Sequence, residues 1–361
     1  MLCPHFPRPV PASRTSPFPA FLRQIPLGNR NSAWYNRSDS AHKCRKGDPP
    51  ADGSAGRCDM ELYMAPLEGI TGSLFRNIYQ KHFPGFDRFY TPFFGNTGFN
   101  TKEICNIGPE ANRGIPLVPQ ILSNHAEDFL QIAQRMKDYG YKSVNLNLGC
   151  PSGTVTSKGR GSGFLRDPKA LDAFFSEISD KSPLPFSVKT RVGYEDESLW
   201  PEILAVYNRY PVTELIVHPR LKTDMYRPGL RMAAFDYAYR NAAMPVIYNG
   251  DINTVEDYRR ITETYPDIQA VMIGRGMLRN PGLIGEIRGQ EPAGDRAILD
   301  WIEDLAKTNY AAYTETPTLF KMKEIWTYLQ DRYPGHKKEL KQLFKAKKLY
   351  EYENAVAAIL R

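Results

Sequence analysis

The sequence has few cysteines and no long apolar stretch. Its 361 residues include five cysteines, none spaced as a Cys-x-x-Cys pair, so it predicts neither structural zinc nor a disulfide framework. No apolar run approaches the roughly 18 uninterrupted residues that cross a bilayer, so we expect no membrane partner. These absences favour a cytoplasmic protein without a bound metal.

The net charge of the protein is also small. The formal net charge is +7, and residues 1–59 supply +5 of it, with seven Arg and two Lys against four Asp. The remaining residues are therefore almost neutral. A general affinity for nucleic acid cannot be argued from this total, because most of it belongs to one terminal segment.

That N-terminal segment, residues 1–59, lacks the hydrophobic periodicity of a helix or strand. It holds nine of the 29 prolines, so we predict a disordered leader. Its arginines resemble those of an organelle transit peptide, but the prolines would break the amphipathic helix that such peptides form. We favour an inert tail, or an artefact of a start upstream of Met60, over a targeting role.

Hydrophobic residues make up 42% of the chain, enough for a sizeable core. From Met60 onward they form eight short runs, each followed by a turn and a helix-like stretch. Such alternation predicts an α/β protein, and eight units fit a (β/α)8 TIM barrel over residues 60–291. A doubly wound sheet is the alternative, but no G-x-G-x-x-G motif follows the first run. The runs are residues 62–65, 86–90, 117–121, 143–148, 186–190, 214–217, 246–248 and 270–273.

Beyond the barrel the pattern becomes helical to the end of the chain. We predict a smaller, all-helical C-terminal domain over residues 292–361. Its stretch 321–348 holds nine Lys or Arg against three acids, interleaved with apolar residues at helical spacing. This spacing indicates a helix with one basic face, although an ordinary solvated helix surface would have the same composition.

Polar residues follow seven of the eight predicted strands, at the end of the barrel where active sites form. Glycine-containing turns after the last two strands could hold a phosphate, and Arg275 could add charged donors. Gln120 and Asn147 offer amides to the edge of a heterocycle, and Lys189 offers a positive charge, a set that suits flavin mononucleotide (FMN). Singly, each residue could equally be structural. The residues at these ends include Pro66, Leu67, Glu68, Gln120, Asn147, Lys189, Arg191, His218, Asn249, Gly250, Asp251, Gly274 and Arg275.

Cys150 is the most distinctive of these residues. It lies between Gly149 and Pro151 and precedes a loop rich in glycine, which indicates a thiol carried over a pocket. A buried structural cysteine is the common alternative. As a nucleophile the thiol would need a base such as His218, whereas a general acid needs only reach and a bound proton.

Several of these motifs resemble those of a known family. Residues 60–288 are similar to the tRNA-dihydrouridine synthases, most of all to the short bacterial branch, and the likeness continues more weakly to the C-terminus. The Asn-Leu-Gly-Cys-Pro-Ser block at 147–152 is the most specific part. The other matching segments are residues 65–69, 189–191, 218–220, 249–251 and 274–276.

This resemblance implies the reduction of a uridine in tRNA to 5,6-dihydrouridine. NADPH would reduce FMN, FMN would pass a hydride to C6 of uracil, and Cys150 would protonate C5. The FMN contacts would come from Pro66, Leu67, Glu68, Gln120, Lys189, His218, Asn249, Gly250, Asp251, Gly274 and Arg275. Asn147 and Arg191 would meet the substrate, while Lys337, Lys338, Lys341 and Lys345 would hold the tRNA backbone. We expect a monomer with no stable protein partner.

Two other functions remain open from the residues alone. A flavin barrel acting on a small molecule, such as a dihydroorotate dehydrogenase, would share Lys189 and the phosphate turns. Such an enzyme has no need of a basic C-terminal domain. An RNA-binding flavoprotein without catalytic activity would keep the basic face and have no need of Cys150.

Overall fold

Parallel strands form a closed ring at the centre of the molecule. The computed structural model describes residues 60–227 and 229–361, so the predicted disordered leader, residues 1–59, lies outside the described residues. Every strand pairing within them is parallel. The strands are β1 (Glu61–Met64), β2 (Arg88–Tyr90), β3 (Leu117–Val118), β4 (Gln120–Ile121), β5 (Val144–Leu148), β6 (Phe186–Arg191), β7 (Leu215–His218), β8 (Val246–Tyr248) and β9 (Ala270–Ile273).

The ring closes at Pro119, where the chain stops pairing with one neighbouring strand and begins to pair with another. β3 pairs with β2 on one side, and β4 pairs with β5 on the other. Proline has no backbone N–H to donate, so the ladder is interrupted there. The predicted single strand over residues 117–121 is therefore two short strands, and the predicted (β/α)8 barrel is confirmed with this one division.

Helices follow the strands around the outside of the ring. Within the described part of the chain they are α1 (Ser73–His82), α2 (Thr101–Ile107), α3 (Ala126–Asp138), α4 (Gly153–Thr156), α5 (Pro168–Lys181), α6 (Trp200–Arg209), α7 (Met232–Asn241), α8 (Val255–Thr264), α9 (Arg275–Arg279) and α10 (Leu283–Ile287). Short 3-10 helices span Pro109–Asn112 and Gly161–Arg166.

The inside of the barrel is filled by side chains. All residues of β5, β7, β8 and β9 are buried, as expected for strands covered on both faces. The interior cluster includes Tyr63, Tyr90, Ile216, Ile247 and Met272. Met272 also lines the cavity above this packed core, so the core forms the floor of that cavity.

The C-terminal region is helical, as predicted. It comprises α11 (Asp295–Ala312), α12 (Glu315–Leu329), α13 (Lys337–Lys345) and α14 (Leu349–Leu360), with a 3-10 turn at Gln330–Arg332. The buried Trp301 of α11 packs edge-on against Phe75, Tyr79 and Phe83, with ring centroids 5.9 to 6.2 Å apart. The division into domains 60–291 and 292–361 stays a prediction.

None of the helices in residues 60–227 and 229–361 is long and apolar enough to cross a membrane.

Candidate active site

A cavity of about 420 Å³ opens at the carboxyl ends of the strands. It collects residues from β1, β4, β5, β6, β7, β8 and β9 or from the loops that follow them. The predicted barrel residues that line it are Pro66, Leu67, Glu68, Gln120, Asn147, Cys150, Lys189, Arg191, His218, Asn249, Gly250, Asp251, Gly274 and Arg275. Every predicted site residue of the barrel therefore faces one cavity, which we call the rim pocket.

Backbone hydrogen bonds fix the position of Cys150. The side-chain oxygen of Asn147 accepts from the Cys150 N–H at 2.9 Å and from the Gly149 N–H at 3.0 Å. The Cys150 carbonyl in turn accepts from the Ser162 hydroxyl at 2.8 Å. Gly161 lies so close that a Cβ there would stand 2.9 Å from this carbonyl oxygen, and its φ of +58° also favours glycine. The glycine-rich segment after Cys150 is thus folded tightly against it.

The thiol of Cys150 is half-buried. Burial raises its pKa above the ordinary value of 9.0, and the nearby Glu68 acts in the same direction. A backbone hydrogen bond from Ser152 and the positive charges of Arg191 and Lys189 oppose this shift and do not reverse it. The side chain therefore keeps its proton at neutral pH, as a proton donor must.

A chain of amide side chains crosses the pocket floor. Asn147 donates to the Gln120 side-chain oxygen at 2.7 Å, and Gln120 donates to that of Asn145, also at 2.7 Å. Asn145 continues the chain to the Ser187 hydroxyl at 2.9 Å. Gln120 is fully buried, so its orientation is set by these bonds. Gln120 and Cys150 are consequently connected through one residue, Asn147.

Lys189 projects from β6 into the pocket without a partner. Among the described residues its ammonium group makes no hydrogen bond or ion pair. Burial, reinforced by the charge of Arg191, lowers the pKa of Lys189 to about 7. An unpaired ammonium of this kind is costly, and an anionic or carbonyl-bearing ligand would relieve the cost.

His218 lies beside a cluster of charges behind the pocket. Arg220 donates to His218 Nε2 at 2.9 Å, so the ring proton resides on Nδ1. Burial and the surrounding cations, Arg191 foremost, lower the pKa of His218 well below its ordinary value, so the ring is neutral. This neutral histidine already accepts a hydrogen bond on Nε2, which argues against a base for Cys150.

Asp251 is held between two arginines. Arg275 donates to one of its carboxylate oxygens at 2.7 Å, and the fully buried Arg220 donates to the other. Partial burial alone would raise the pKa of Asp251, but the hydrogen bond and charge of Arg220, aided by Arg275, lower it. Arg275 is thus tied back to a carboxylate, a contact that the sequence did not reveal.

The loops after β8 and β9 approach each other closely at Gly276. A Cβ at this position would stand 1.9 Å from the Ile252 carbonyl oxygen, so no other residue fits without moving the backbone. At Gly274 a Cβ would meet that of Ala65 at 3.3 Å. Gly276 thus lets the loop after β9 approach the loop after β8, and Gly274 lets it approach the loop after β1, in the wall of the rim pocket.

Arg191 braces two loops around the pocket. It is buried, and it donates to the Gly149 carbonyl at 2.9 Å and to the Leu221 carbonyl at 2.7 Å. The exposed ring of Tyr226 lies over this region, 5.4 Å from the Arg191 guanidinium and 4.8 Å from that of Arg275. Tyr226 was not predicted, although an aromatic residue in the loop after His218 is a signal that could have found it.

The C-terminal region supplies further pocket residues that were not predicted. Glu324 and Tyr328 of α12 line the rim pocket. The Lys321 ammonium, one turn earlier, donates to the Gly69 carbonyl at 3.2 Å and fixes α12 to the loop after β1. Their spacing in the sequence places these three residues on one helix face, but it cannot say what that face meets.

The four predicted tRNA-binding lysines lie elsewhere. Lys337, Lys338, Lys341 and Lys345 are exposed on α13 and do not line the rim pocket. The predicted single basic stretch is divided between α12 and α13, and Lys323 and Lys348 contact the Ala346 carbonyl and Glu315 respectively. The role of the four α13 lysines stays a prediction.

Known proteins are similar to this chain over most of its length. A family model described as "Dihydrouridine synthase (Dus)" matches residues 63–359. The chain belongs to this family. The curated relatives include the tRNA-dihydrouridine(16) synthase of Shewanella oneidensis, 27% identical over 313 residues, which are 83% of this chain and 97% of that protein.

A second relative is the "Probable tRNA-dihydrouridine synthase 2" of Bacillus subtilis, 27% identical over 72% of this chain and 83% of its own. Among solved structures the chain is similar to morphinone reductase, with a TM-score of 0.47, 14% identity, and coverage of 65% of this chain and 87% of that one. The predicted family is confirmed by the family model, and with it the class of flavin-dependent oxidoreductases.

Proposed function

We propose that this dihydrouridine synthase reduces uridine in tRNA to 5,6-dihydrouridine, with FMN as its resident cofactor and NADPH as the source of electrons. The observation that carries the proposal is the meeting of Cys150 and the unpartnered Lys189 in one pocket. A thiol that keeps its proton and a cation without a counter-charge suit a reaction that adds a hydride and then a proton. The family and its named relatives identify the base.

The rim pocket fits a flavin by its donor set. Lys189 would face the pyrimidine end of the ring, where negative charge develops on reduction, and Gln120 would lie along its edge. The close loops at Asn249, Gly250 and Gly274 would take the phosphate, with Arg275 beside them. When bound, FMN supplies the hydride.

Cys150 then acts as the general acid of the reaction. Hydride addition to C6 of uracil leaves negative charge at C5 and its neighbouring carbonyl, and a proton delivered to C5 removes that charge. The raised pKa of the thiol keeps the proton available at neutral pH. Asn147 holds the backbone of Cys150 and so determines where the sulfur lies.

The substrate must enter this pocket as a single unstacked base. A uracil inside an RNA stack cannot reach a flavin at the barrel rim, so the nucleotide has to leave its neighbours. The α12 residues Glu324 and Tyr328 form part of the wall that such a base would pass. A barrel acting on a small molecule would have no need of a helical region at this place.

Replacement of Cys150 tests the mechanism. We expect Cys150→Ala to bind FMN like the wild type and to lose at least about 10²-fold in single-turnover formation of dihydrouridine, the usual range for a lost general acid. Nucleoside mass spectrometry of the product tRNA provides the measurement. Ser157→Ala, an exposed position on the same loop, is the matched control and should keep the wild-type rate.

The role of Cys150 and the reaction itself are contradicted by different results. Normal dihydrouridine formation by a flavin-loaded Cys150→Ala variant would remove Cys150 as the acid and leave the reaction standing. Unchanged dihydrouridine at every tRNA position in cells lacking the gene would contradict the reaction itself.

A further inference from the structure

A second cavity adjoins the rim pocket. Its volume is about 450 Å³, and it lies between the loops after β1 and β2, helix α4 and the helices α11 and α12. Glu68, Ile70, Pro92 and Phe93 line both cavities. The two are therefore separated by no more than a single layer of side chains, and we call the second one the side pocket.

The side pocket combines aromatic rings, amides and cations. Phe93 and Tyr313 are half-buried in its wall, and the Lys321 ammonium lies 5.4 Å from the centre of the Tyr313 ring. Asn96 and Lys158 are exposed at it, and neither side chain has a hydrogen bond or ion pair among the residues that the structure describes. Aromatic faces, free amide groups and free ammonium groups are the contacts that a base and its phosphate require.

We propose that the side pocket binds the nucleotide adjacent to the reduced uridine in the same RNA strand. This inference rests on the proposed function. When the uridine leaves its stack, the neighbouring base loses a stacking partner, which adds to the cost of extrusion. A second site that stacks this neighbour offsets part of that cost, because stacking on an aromatic side chain tolerates any base.

The distribution of charge orients the nucleotide in the side pocket. Glu68 and Glu103 lie on the wall nearer the loops after β1 and β2, where they would accept hydrogen bonds from ribose hydroxyls and repel phosphate. Lys158 is unpaired, whereas the neighbouring Arg160 pairs with Asp128 at 3.5 Å and Lys321 donates to the Gly69 carbonyl. Lys158 is therefore the group that meets the phosphate.

The test uses the flavin-loaded full-length protein with a Tyr313→Leu/Lys158→Ala double substitution, which removes an aromatic ring and the free ammonium group from the side pocket. We expect the KM for tRNA to rise on the order of tenfold, the effect of losing one stacked and charge-paired nucleotide. The rate of flavin reduction by NADPH without tRNA should stay unchanged, because neither residue lines the rim pocket. Lys169→Ala, an exposed lysine on α5, is the matched control and should behave as wild type.

Substrates with one base removed identify the occupant. After the reduced uridine has been mapped, tRNAs are made with an abasic residue directly 5′ or directly 3′ of it. We expect one of the two to lose on the order of tenfold in kcat/KM with the wild type and to lose nothing further with the double variant.

Three results would overturn the inference. The first is that both abasic tRNAs react like intact tRNA. The second is that the losses in kcat/KM from the variant and from the abasic substrate multiply. A variant that slows flavin reduction by NADPH while leaving the tRNA KM unchanged would assign the side pocket to the reductant instead. If the wild type forms no dihydrouridine in any tRNA, both the proposed function and this inference are wrong.

Discussion

Lys189 carries a charge that the surrounding protein does not neutralise. Its pKa of about 7, against an ordinary value of 10.5, reflects burial next to Arg191. An anionic ligand would favour the protonated form, so binding above about pH 7 has to be accompanied by uptake of a proton. We therefore expect cofactor affinity to depend on pH through this one side chain.

We expect the dissociation constant of FMN from the apoprotein to rise with pH between about pH 7 and 9, since the free lysine loses its proton over that range. Lys189→Met keeps the length of the side chain and removes the charge, so it should bind FMN more weakly and with a flatter pH dependence. Fluorescence titration of FMN at several pH values measures both. Parallel pH profiles for the two proteins would contradict this role.

The sequence predicted which residues would meet at the pocket better than it predicted their partners. All fourteen barrel residues line the rim pocket, because the carboxyl ends of parallel strands converge on one rim. Their contacts could not be predicted in this way. Asn147 donates to Gln120 on a neighbouring strand, and Arg191 donates to Gly149 and Leu221 in two other loops, through bonds between distant segments that no local pattern encodes.

Arg160 ties the loop that carries Cys150 to neighbouring loops. Arg160 donates to the Gly95 carbonyl at 2.9 Å and to the Asn124 side chain at 3.3 Å, and it pairs with Asp128 of α3. These hydrogen bonds join the Cys150 loop to the loop after β2 and to the start of α3. Arg160, ten residues after Cys150 in the sequence, thus acts as a positioning residue for its thiol.

We expect Arg160→Ala to loosen this loop and to expose the thiol. Alkylation of Cys150 by iodoacetamide, followed by peptide mass spectrometry, should speed up on the order of tenfold because the burial that raises its pKa is partly removed. Arg160→Lys should recover part of the protection through a single donor. Equal alkylation rates in all three proteins would show that Arg160 does not hold the loop.

Element boundaries were predictable where the hydrophobic runs were continuous. β8 and β9 coincide with their predicted runs, and β7 is shifted by one residue. The division between β3 and β4 was missed, although Pro119 stood in the predicted strand as a visible signal. The contribution of α12 to the pocket could not be predicted. Helical spacing shows which residues share a face of the helix, but it does not show which part of the protein that face contacts.

At the scale of the whole molecule, a group of exposed lysines lies away from the chemistry. The exposed lysines of α13, Lys337, Lys338, Lys341 and Lys345, lie outside both cavities. A cluster of this kind would attract the RNA backbone without reading its sequence. Binding of the tRNA body and reduction of its base would then depend on separate parts of the protein.

We expect replacement of these four lysines by alanine to raise the KM for tRNA and to reduce the salt dependence of binding, by roughly one unit of slope for each phosphate that the protein no longer neutralises. Flavin content and its reduction by NADPH should not change. A matched variant carries alanine at four exposed lysines of the barrel, Lys137, Lys142, Lys169 and Lys181. Identical salt slopes for the two variants would contradict an RNA-binding role for α13.

The wall that α12 adds to the rim pocket has a consequence for biosynthesis. Chains emerge from the ribosome N-terminus first, and early segments can fold before later ones appear. Cys150 and Lys189 are made long before Glu324 and Tyr328, so the rim pocket of a nascent barrel has one side open. Only when the last helices are released is the wall of the rim pocket complete.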